Sequence, residues 1–268
     1  MTELPYKIDN HDNTHIHYFN AVTSTMDIAR NMAQSNCPDN TVIIAKHQHS
    51  GRGRLQRQWK SDDGGLFMTW VIRPRLNAMY CFAYTFSAAL AIIHTLDQLF
   101  NIVAQVKWPN DILINTQKIA GILTETQFEN NQFTYLNIGI GMNVNNQIKT
   151  DDFNAISLQD LIQTHVDMNN IVQSLCQNLT NQFATICVEH VIESWKAHNC
   201  TLGKKVRIVL MDRIIEGRAV DISHDGALVI AKSNGQLEEV TYGDCIVPGY
   251  KLTYGDCIVP GYKLSRHE

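Results

Sequence analysis

Residues 48–59, with the sequence QHSGRGRLQRQW, concentrate positive charge in a chain that is acidic overall. The chain carries 22 Lys and Arg against 26 Asp and Glu, which gives a net charge of −4. Four cations stand close together in this region, with no acidic residue from Gln48 up to Asp62: Arg52, Arg54, Arg57 and Lys60. Guanidinium groups bind phosphate and carboxylate oxygens in a bidentate manner, so the segment predicts a local anion site. A solvated basic loop is the alternative.

Two glycines, Gly51 and Gly53, leave the backbone of this segment free to turn N–H groups toward an anion. The spacing is not that of the common nucleotide loops. Gln56 stands where a dinucleotide-binding fingerprint has its third glycine, and no Gly-Lys-Ser/Thr sequence follows. A flexible loop of this kind fits a segment that becomes ordered when its ligand binds.

A second group of candidate residues surrounds two lysines, in the sequences KWPND (107–111) and KIAGILTE (118–125). Burial of an ammonium group among apolar strands is costly without an anionic partner. Lys118 is therefore a candidate electrostatic catalyst, and Gly121 would leave room for a ligand against the strand. The alternative for Lys107 is a strand-end lysine whose ammonium group snorkels to solvent, and the alternative for Lys118 is an exposed lysine of a hairpin.

The sequence GIGMN (139–143) ends an apolar strand with alternate glycines, Gly139 and Gly141. Glycine is unfavourable within a strand unless something packs closely against the face that it thins. A small molecule and a closely packed helix satisfy that condition equally well.

Other function classes are excluded by composition. The seven cysteines contain no C-x-x-C pair, and the two His-x-His pairs at 15–17 and 47–49 have no third ligand at suitable spacing, so no disulfide framework and no metal site are predicted.

A sequence pI near 6.2 argues against general DNA or RNA binding. The longest apolar run, residues 88–93, is far below the roughly 20 residues of a membrane span, and the N-terminus lacks a signal sequence. We therefore expect a cytoplasmic protein without membrane or DNA partners.

The elements that position these residues are predicted from hydrophobic periodicity. Ser24 and Asp27 have the spacing of a capping box at the start of a helix. Strands are predicted at 15–19, 41–46, 66–72, 104–107, 111–114, 118–126 and 133–142, and helices at 80–99, 157–164 and 169–198. This mixture of strands in hairpin-like succession and covering helices predicts an α+β fold.

From Gly203 the hydrophobic period changes to two, with turn residues between short strands at 204–210, 214–223, 227–231 and 237–241. The pattern predicts a small β-barrel, with a domain boundary near 199–202. The expected domains are 1–200 and 201–252. Residues 241–252 (TYGDCIVPGYKL) recur without change at 253–264, and a unit this short is not a solenoid repeat. The first copy is expected to complete the barrel, and 253–268 to be a redundant tail.

Four motifs in this order resemble those of the biotin protein ligases: GRGR-x-x-R-x-W, KWPNDIL, KIAGIL-x-E and G-x-G-x-N. The resemblance covers about Val22 to Ile246. It implies a catalytic domain like that of class II aminoacyl-tRNA synthetases, with a mixed or antiparallel sheet covered by helices, followed by an SH3-like β-barrel.

The resemblance implies a reaction in two steps. Biotin and MgATP first form biotinoyl-5′-AMP and pyrophosphate, and a lysine of the biotin carboxyl carrier protein of acetyl-CoA carboxylase then attacks the mixed anhydride. ATP, Mg²⁺ and biotin are the expected small molecules, and a homodimer is compatible with the family. The nearest alternative is a lipoate–protein ligase-like acyl transferase, whose motifs lack the GRGR loop. A non-catalytic binding module is the alternative outside the enzymes.

Site residues are implied by the same resemblance. Those matching biotin-binding positions are Ser24, Thr25, Gln48, Arg52, Lys118 and Gly121. Those matching the ATP and adenylate motifs are Gly51, Arg52, Gly53, Arg54, Trp59, Asn110, Asp111 and Asn143. Lys118 and Arg54 are the expected catalytic residues.

Three departures from the family pattern are visible. Met26 stands where the family often has Asn. The segment Ile156-Ser157-Leu158 has no aromatic residue for adenine, so it does not identify an adenine partner. Only about twenty residues precede Ser24, too few for the winged helix-turn-helix of bifunctional members, so repression of transcription is not expected.

Overall fold

A computed structural model describes residues 14–129, 132–148 and 155–247. Within these residues the chain forms a seven-stranded sheet, a five-stranded sheet and five α-helices. The strands are β1 His15–Val22, β2 Thr41–Gln48, β3 Leu66–Ile72, β4 Gln105–Lys107, β5 Asp111–Ile114, β6 Gln117–Glu129, β7 Gln132–Met142, β8 Lys205–Val209, β9 Ile214–Ile222, β10 Leu228–Ala231, β11 Leu237–Val240 and β12 Asp244–Ile246. The helices are α1 Thr25–Gln34, α2 Phe82–Phe100, α3 Leu158–Ile162, α4 Met168–Ala184 and α5 Val188–Ala197.

The larger sheet has the strand order β1-β2-β3-β7-β6-β5-β4. β1 and β2 are parallel and are joined through α1, because a parallel pair needs a crossover connection. Every other pair is antiparallel, and β4 to β7 follow one another as hairpins. The mixed sheet with covering helices confirms the predicted α+β fold.

Helix α1 begins where the sequence predicts. Ser24 has extended backbone angles, and its hydroxyl accepts a hydrogen bond from the Met26 N–H at 3.3 Å. The reciprocal bond expected from Asp27 in a capping box is replaced by ion pairs, because this carboxylate faces Arg30 and Arg52. The N-terminal end of α1 thus lies beside the arginine-rich segment.

The main core lies between one face of the larger sheet and α2. This helix is the one described segment long and apolar enough to cross a membrane, at Ala78–Phe100, and 67% of its apolar window is buried inside the protein. Helices α4 and α5 pack on its other side. Trp195 of α5 stacks on Phe86 of α2 with ring centroids 4.2 Å apart. We therefore describe α2 as a central helix of the core.

The single helix predicted for 169–198 is wrong, because the chain breaks between α4 and α5. Thr185 leaves the helical conformation, with a ψ of 75°, and Cys187 has extended backbone angles, with a ψ of 113°. A continuous helix over those residues would be about 45 Å long and would outrun α2, which is about 28 Å long. The break lets Phe183 reach Trp70, with ring centroids 6.0 Å apart, while α5 still packs on α2.

The smaller sheet is antiparallel, with the order β11-β10-β9-β8-β12. Its last strand comes from the first copy of the duplicated sequence, and Asp244 stands opposite Val209 of β8. The second copy, 253–264, lies outside the described residues, so its predicted redundancy stays a prediction. The sheet follows α5 directly, and β12 carries Asp244 toward the arginine-rich segment of the larger unit.

Candidate active site

A cavity of about 190 Å³ opens between the larger sheet, the N-terminal end of α1, the arginine-rich segment and β12. Twelve of the thirteen predicted site residues line it. From the first part of the chain they are Ser24, Thr25, Gln48, Arg52, Gly53 and Arg54. From the remainder they are Trp59, Asn110, Asp111, Lys118, Gly121 and Asn143. Residues far apart in sequence therefore meet in one place.

Gly51, the remaining predicted residue, is buried behind the cavity wall, where it closes the base of a hairpin. Its carbonyl accepts from the Trp59 N–H at 2.9 Å. A Cβ at this position would lie 2.5 Å from the Trp59 carbonyl oxygen and would also collide with the Ser61 hydroxyl. Close approach of the backbone, rather than an unusual φ angle, therefore requires glycine here. We call residues 51–59 the arginine hairpin.

Thr25 and Gln48 form a buried polar corner at one end of the cavity. The Gln48 Oε1 accepts from the Thr25 N–H at 2.8 Å and from the Thr25 hydroxyl at 3.1 Å. The Gln48 Nε2 donates to the Ser61 hydroxyl at 2.8 Å. These contacts fix the orientation of the amide, and the second hydrogen of Nε2 can serve a carbonyl group of a ligand.

Arg52 is held by carboxylates of two other elements. Its Nη2 lies 2.9 Å from Asp27 Oδ1 on α1 and 3.2 Å from Glu125 Oε1 on β6. Arg30 pairs with the same two carboxylates, at 3.3 and 2.6 Å, and its hydrogen bond to Glu125 raises the pKa of Arg30. The network attaches one side of the arginine hairpin to α1 and β6.

Lys118 and Asp111 form an ion pair inside the cavity. The Lys118 Nζ lies 2.6 Å from Asp111 Oδ1 and 5.2 Å from the centroid of the Trp59 ring. Both partners are largely buried, with exposed side-chain fractions of 20% and 11%. A positive charge is therefore held on the cavity wall between a carboxylate and an aromatic face, which attracts cations.

The C-terminal sheet reaches the other side of the arginine hairpin. Both carboxylate oxygens of Asp244 accept from the Arg57 guanidinium, and Asp244 is only 4% exposed. Arg54 donates to the Gly243 carbonyl at 3.2 Å and to Asn110 Oδ1 at 3.3 Å. Arg54 thus bridges the two sheets at the cavity.

Two side chains, Trp59 and Met26, pack against the sheet face that the glycines thin. A Cβ at Gly141 would lie 2.5 Å from Cε2 of Trp59, and one at Gly121 would lie 2.9 Å from its Cζ3. Gly139 instead faces Met26 of α1, whose Sδ would be 2.7 Å from the added carbon. The Trp59 indole therefore packs on β7 at Gly141, and helix α1 packs on the same strand at Gly139, as in the predicted alternative of a closely packed helix.

The other candidates take supporting positions. Asn110 donates to the Ile122 carbonyl at 2.6 Å, and Asn143 Oδ1 accepts from Asn146 at 3.1 Å. Lys107 lines the cavity and is 7% exposed. The Trp59 Nε1–H is buried and has no hydrogen-bond partner within the described residues.

Sequence reasoning missed the carboxylates that surround the cations. The arginine hairpin has no acid of its own, and its acidic partners come from α1, β6 and β12: Asp27, Glu125 and Asp244. No local spacing rule connects residues this far apart. Two sequence features could have pointed to these acidic partners: the capping-box position of Asp27 and the glycine before Asp244. Each of them indicates a structural role rather than a role in the site.

The arrangement is suited to joining two anions. Arg54, Arg57 and Lys118 place fixed positive charges on the cavity wall. Fixed cations and N–H donors lower the barrier when negative charge develops in a site from which water is excluded. The polar corner at Gln48 can orient one reactant by a neutral carbonyl group.

Comparison with known proteins gives the family. The sequence model of the Biotin/lipoate A/B protein ligase family matches residues 18–143, and that of the Biotin protein ligase C terminal domain matches 201–247. The bifunctional ligase/repressor BirA of Bacillus spizizenii is 32% identical over 231 residues, covering 82% of this chain and 70% of that protein. The biotin--[acetyl-CoA-carboxylase] ligase of Mycobacterium tuberculosis is 27% identical over 232 residues, covering 84% and 85%.

A solved structure supports the fold. The biotin protein ligase of Aquifex aeolicus in complex with biotin and ATP superimposes with a TM-score of 0.74 at 22% identity, covering 87% of this chain and 98% of that chain. The two matched sequence regions contain the cavity residues from both sheets. The chain therefore belongs to the biotin protein ligases of the biotin/lipoate A/B protein ligase family.

Proposed function

We propose that the chain attaches biotin to a lysine of a carrier protein in an ATP-dependent reaction, by way of biotinoyl-5′-AMP. The observation that carries the proposal is the meeting of Gln48, Lys118 and the arginine hairpin in one cavity of a biotin protein ligase fold. The match of the C-terminal sheet to the biotin ligase C-terminal domain favours biotin over lipoate.

In the first step, a biotin carboxylate oxygen attacks the α-phosphorus of ATP, and the bond to the pyrophosphate oxygen breaks. Like charges meet in this step, and Lys118, Arg54 and Arg57 lie where fixed positive charge would stabilise them. In the second step, an acceptor amine attacks the acyl carbon, and AMP leaves with the electron pair of the acyl–oxygen bond. Trp59 and the arginine hairpin would keep water from the anhydride between the two steps.

Mg²⁺ is proposed as part of the MgATP substrate. Within residues 14–129, 132–148 and 155–247, no group of three His, Cys, Asp or Glu side chains could hold a metal ion by itself. Asn110 and Asn143 nevertheless place amide oxygens on the cavity wall, and hard oxygen donors suit Mg²⁺ bound mainly by phosphate. Its chemistry there would be neutralisation of the triphosphate charge.

The acceptor is proposed to be the biotin carboxyl carrier protein of acetyl-CoA carboxylase. Support comes from the Mycobacterium tuberculosis relative, which covers most of both chains and is named for that carboxylase. We expect the reaction to take place in the cytoplasm. The expectations of a homodimer and of no DNA partner stay predictions.

The experiment is incorporation of labelled biotin into a purified carrier domain, with and without MgATP. Incorporation that needs both ATP and the acceptor lysine is the expected result. An ATP–pyrophosphate exchange assay with biotin and lipoate offered separately tests the vitamin. Exchange supported by lipoate and not by biotin would overturn the choice, and exchange with neither acid would overturn adenylate formation.

A further inference from the structure

Four side chains and one carbonyl form a continuous buried hydrogen-bond chain that the proposed reaction does not itself require. It begins at Thr69 of β3, whose hydroxyl donates to the Thr25 hydroxyl at 2.8 Å. Thr25 donates to Gln48 Oε1, and Gln48 Nε2 donates to the Ser61 hydroxyl. Ser61 then donates to the Trp59 carbonyl at 3.2 Å, which is the base of the arginine hairpin.

All four side chains are removed from solvent. Their exposed fractions are 0% for Thr69, 3% for Thr25, 9% for Gln48 and 5% for Ser61. A buried hydroxyl that loses a partner costs free energy, so each bond constrains the next. The chain therefore links these four side chains into one hydrogen-bonded unit.

Ser61 joins two parts of the site that different reactants would occupy. On one side it fixes the Nε2 end of Gln48, the amide that faces the polar corner. On the other it holds the hairpin that carries Arg54 and Arg57. The three groups pack tightly around Gly51, because an added Cβ there would meet Ser61, Gln48 and Trp59 together. A shift of the Gln48 amide would therefore move the hydroxyl that holds the hairpin base.

We propose that Ser61 is a positioning residue that couples occupation of the Gln48 corner to the geometry of the arginine hairpin. The proposal rests on the proposed function, in which biotin occupies that corner and ATP faces the hairpin. Ser61 touches neither reactant in this scheme. Thr69, at the far end of the chain, orients Thr25 and does not contact the hairpin.

The test measures binding coupling rather than activity. The affinity for biotin is determined by calorimetry alone and with a saturating non-hydrolysable ATP analogue, and the ratio of the two gives the coupling factor, typically about 5- to 150-fold between linked sites. Ser61→Ala is expected to bring this ratio at least about fivefold closer to 1. Ser61→Cys, nearly the same size but a weak hydrogen-bonding group, is expected to act in the same direction and replaces Ser61→Ala if that variant does not fold.

Thr69→Val is the matched control, because it removes a hydroxyl of the same chain without changing the side-chain shape. We expect weaker biotin binding and an unchanged coupling factor. A second readout is tryptic cleavage within the arginine hairpin, which biotin should slow in the wild type and no longer slow in Ser61→Ala.

The outcomes separate two failures. If biotin binds and the coupling factor is the same in the wild type and in the folded Ser61 variant, only the role of Ser61 is overturned and the proposed function stands. A coupling factor of 1 in the wild type would also overturn the role of Ser61, because the two sites would then not be coupled. Absence of biotin binding by the wild type overturns the proposed function, and the coupling with it.

Discussion

Lys118 and Asp111 face each other because of a β-bulge. A regular antiparallel ladder would place Ile119 on the same sheet face as Asp111, since side chains alternate along a strand. The register between β5 and β6 shifts after Ile112, so Lys118 stands opposite Leu113 and its ammonium reaches Asp111 at 2.6 Å. A single extra residue therefore turns the lysine into the cavity instead of the core.

Replacement of Lys118 by Ala is expected to slow adenylate formation by about 10² or more, as for loss of a fixed transition-state donor. Single-turnover formation of biotinoyl-5′-AMP measures this step. Asp111→Asn should slow it less, because the ammonium remains and only its orientation is loosened. A wild-type rate in the Lys118 variant would exclude the residue from the chemistry.

Arg54→Ala is expected to speed release of biotinoyl-5′-AMP by roughly 10- to 100-fold, since a hydrogen bond to a charged group contributes about 1.5–3 kcal/mol. Retention on a filter after gel filtration measures the release. Arg213→Ala is the control, because Arg213 pairs with Glu238 in the C-terminal sheet and does not line the cavity. Equal retention in the two variants would contradict a role for Arg54 in holding the intermediate.

The Arg57–Asp244 pair is expected to couple the arginine hairpin to the C-terminal sheet. Removal of either partner leaves a largely buried charge, so each single variant should destabilise the protein, and a double-mutant cycle should give an interaction energy of about 1–3 kcal/mol. Denaturant unfolding measures it.

The duplicated sequence requires its own control for this cycle. Asp256 has the same neighbours in the sequence as Asp244, so Asp256→Asn and the double replacement are measured beside Asp244→Asn. We expect Asp256→Asn to have no effect. An effect of the double replacement much larger than that of Asp244→Asn would show that Asp256 can substitute.

Gly141→Ala is expected to weaken retention of the adenylate more than Gly139→Ala does. The added methyl at 141 meets the rigid indole of Trp59, which moves only with the hairpin, whereas the one at 139 meets the flexible Met26 thioether. Filter retention and thermal unfolding are compared for both. Similar losses of retention at the two positions would show that Trp59 does not set the closure of the hairpin.

The stability of the protein is expected to fall as the pH drops below about 6.5, in part because of His94. Burial, and then the neighbouring His198, lower the pKa of His94, while Asp97 opposes them. The unfolded chain then binds this proton more readily than the folded one, so acid favours unfolding. His94→Gln should flatten the change in unfolding free energy between pH 5 and about 7. The same replacement at the exposed His165 is the control and should keep the wild-type change in unfolding free energy. An unchanged slope in the His94 variant would contradict this.

The sequence by itself determined most of the elements and the identity of most predicted cavity residues. Alternation, apolar runs and the Ser24 cap are local properties, so strands such as β3 and β5 were predicted at their observed limits. The four motifs carry their chemistry in short spacings, and nine of the twelve predicted residues that line the cavity belong to them.

Only the tertiary structure decided how the charges are balanced and which way they face. The partners of Arg52, Arg57 and Lys118 are set by sheet order, by the bulge in β6 and by the position of β12. The split between α4 and α5 likewise depends on the length of α2. These are long-range relationships, since an ion pair or a helix break forms where separate elements meet, and local periodicity carries no information about that meeting.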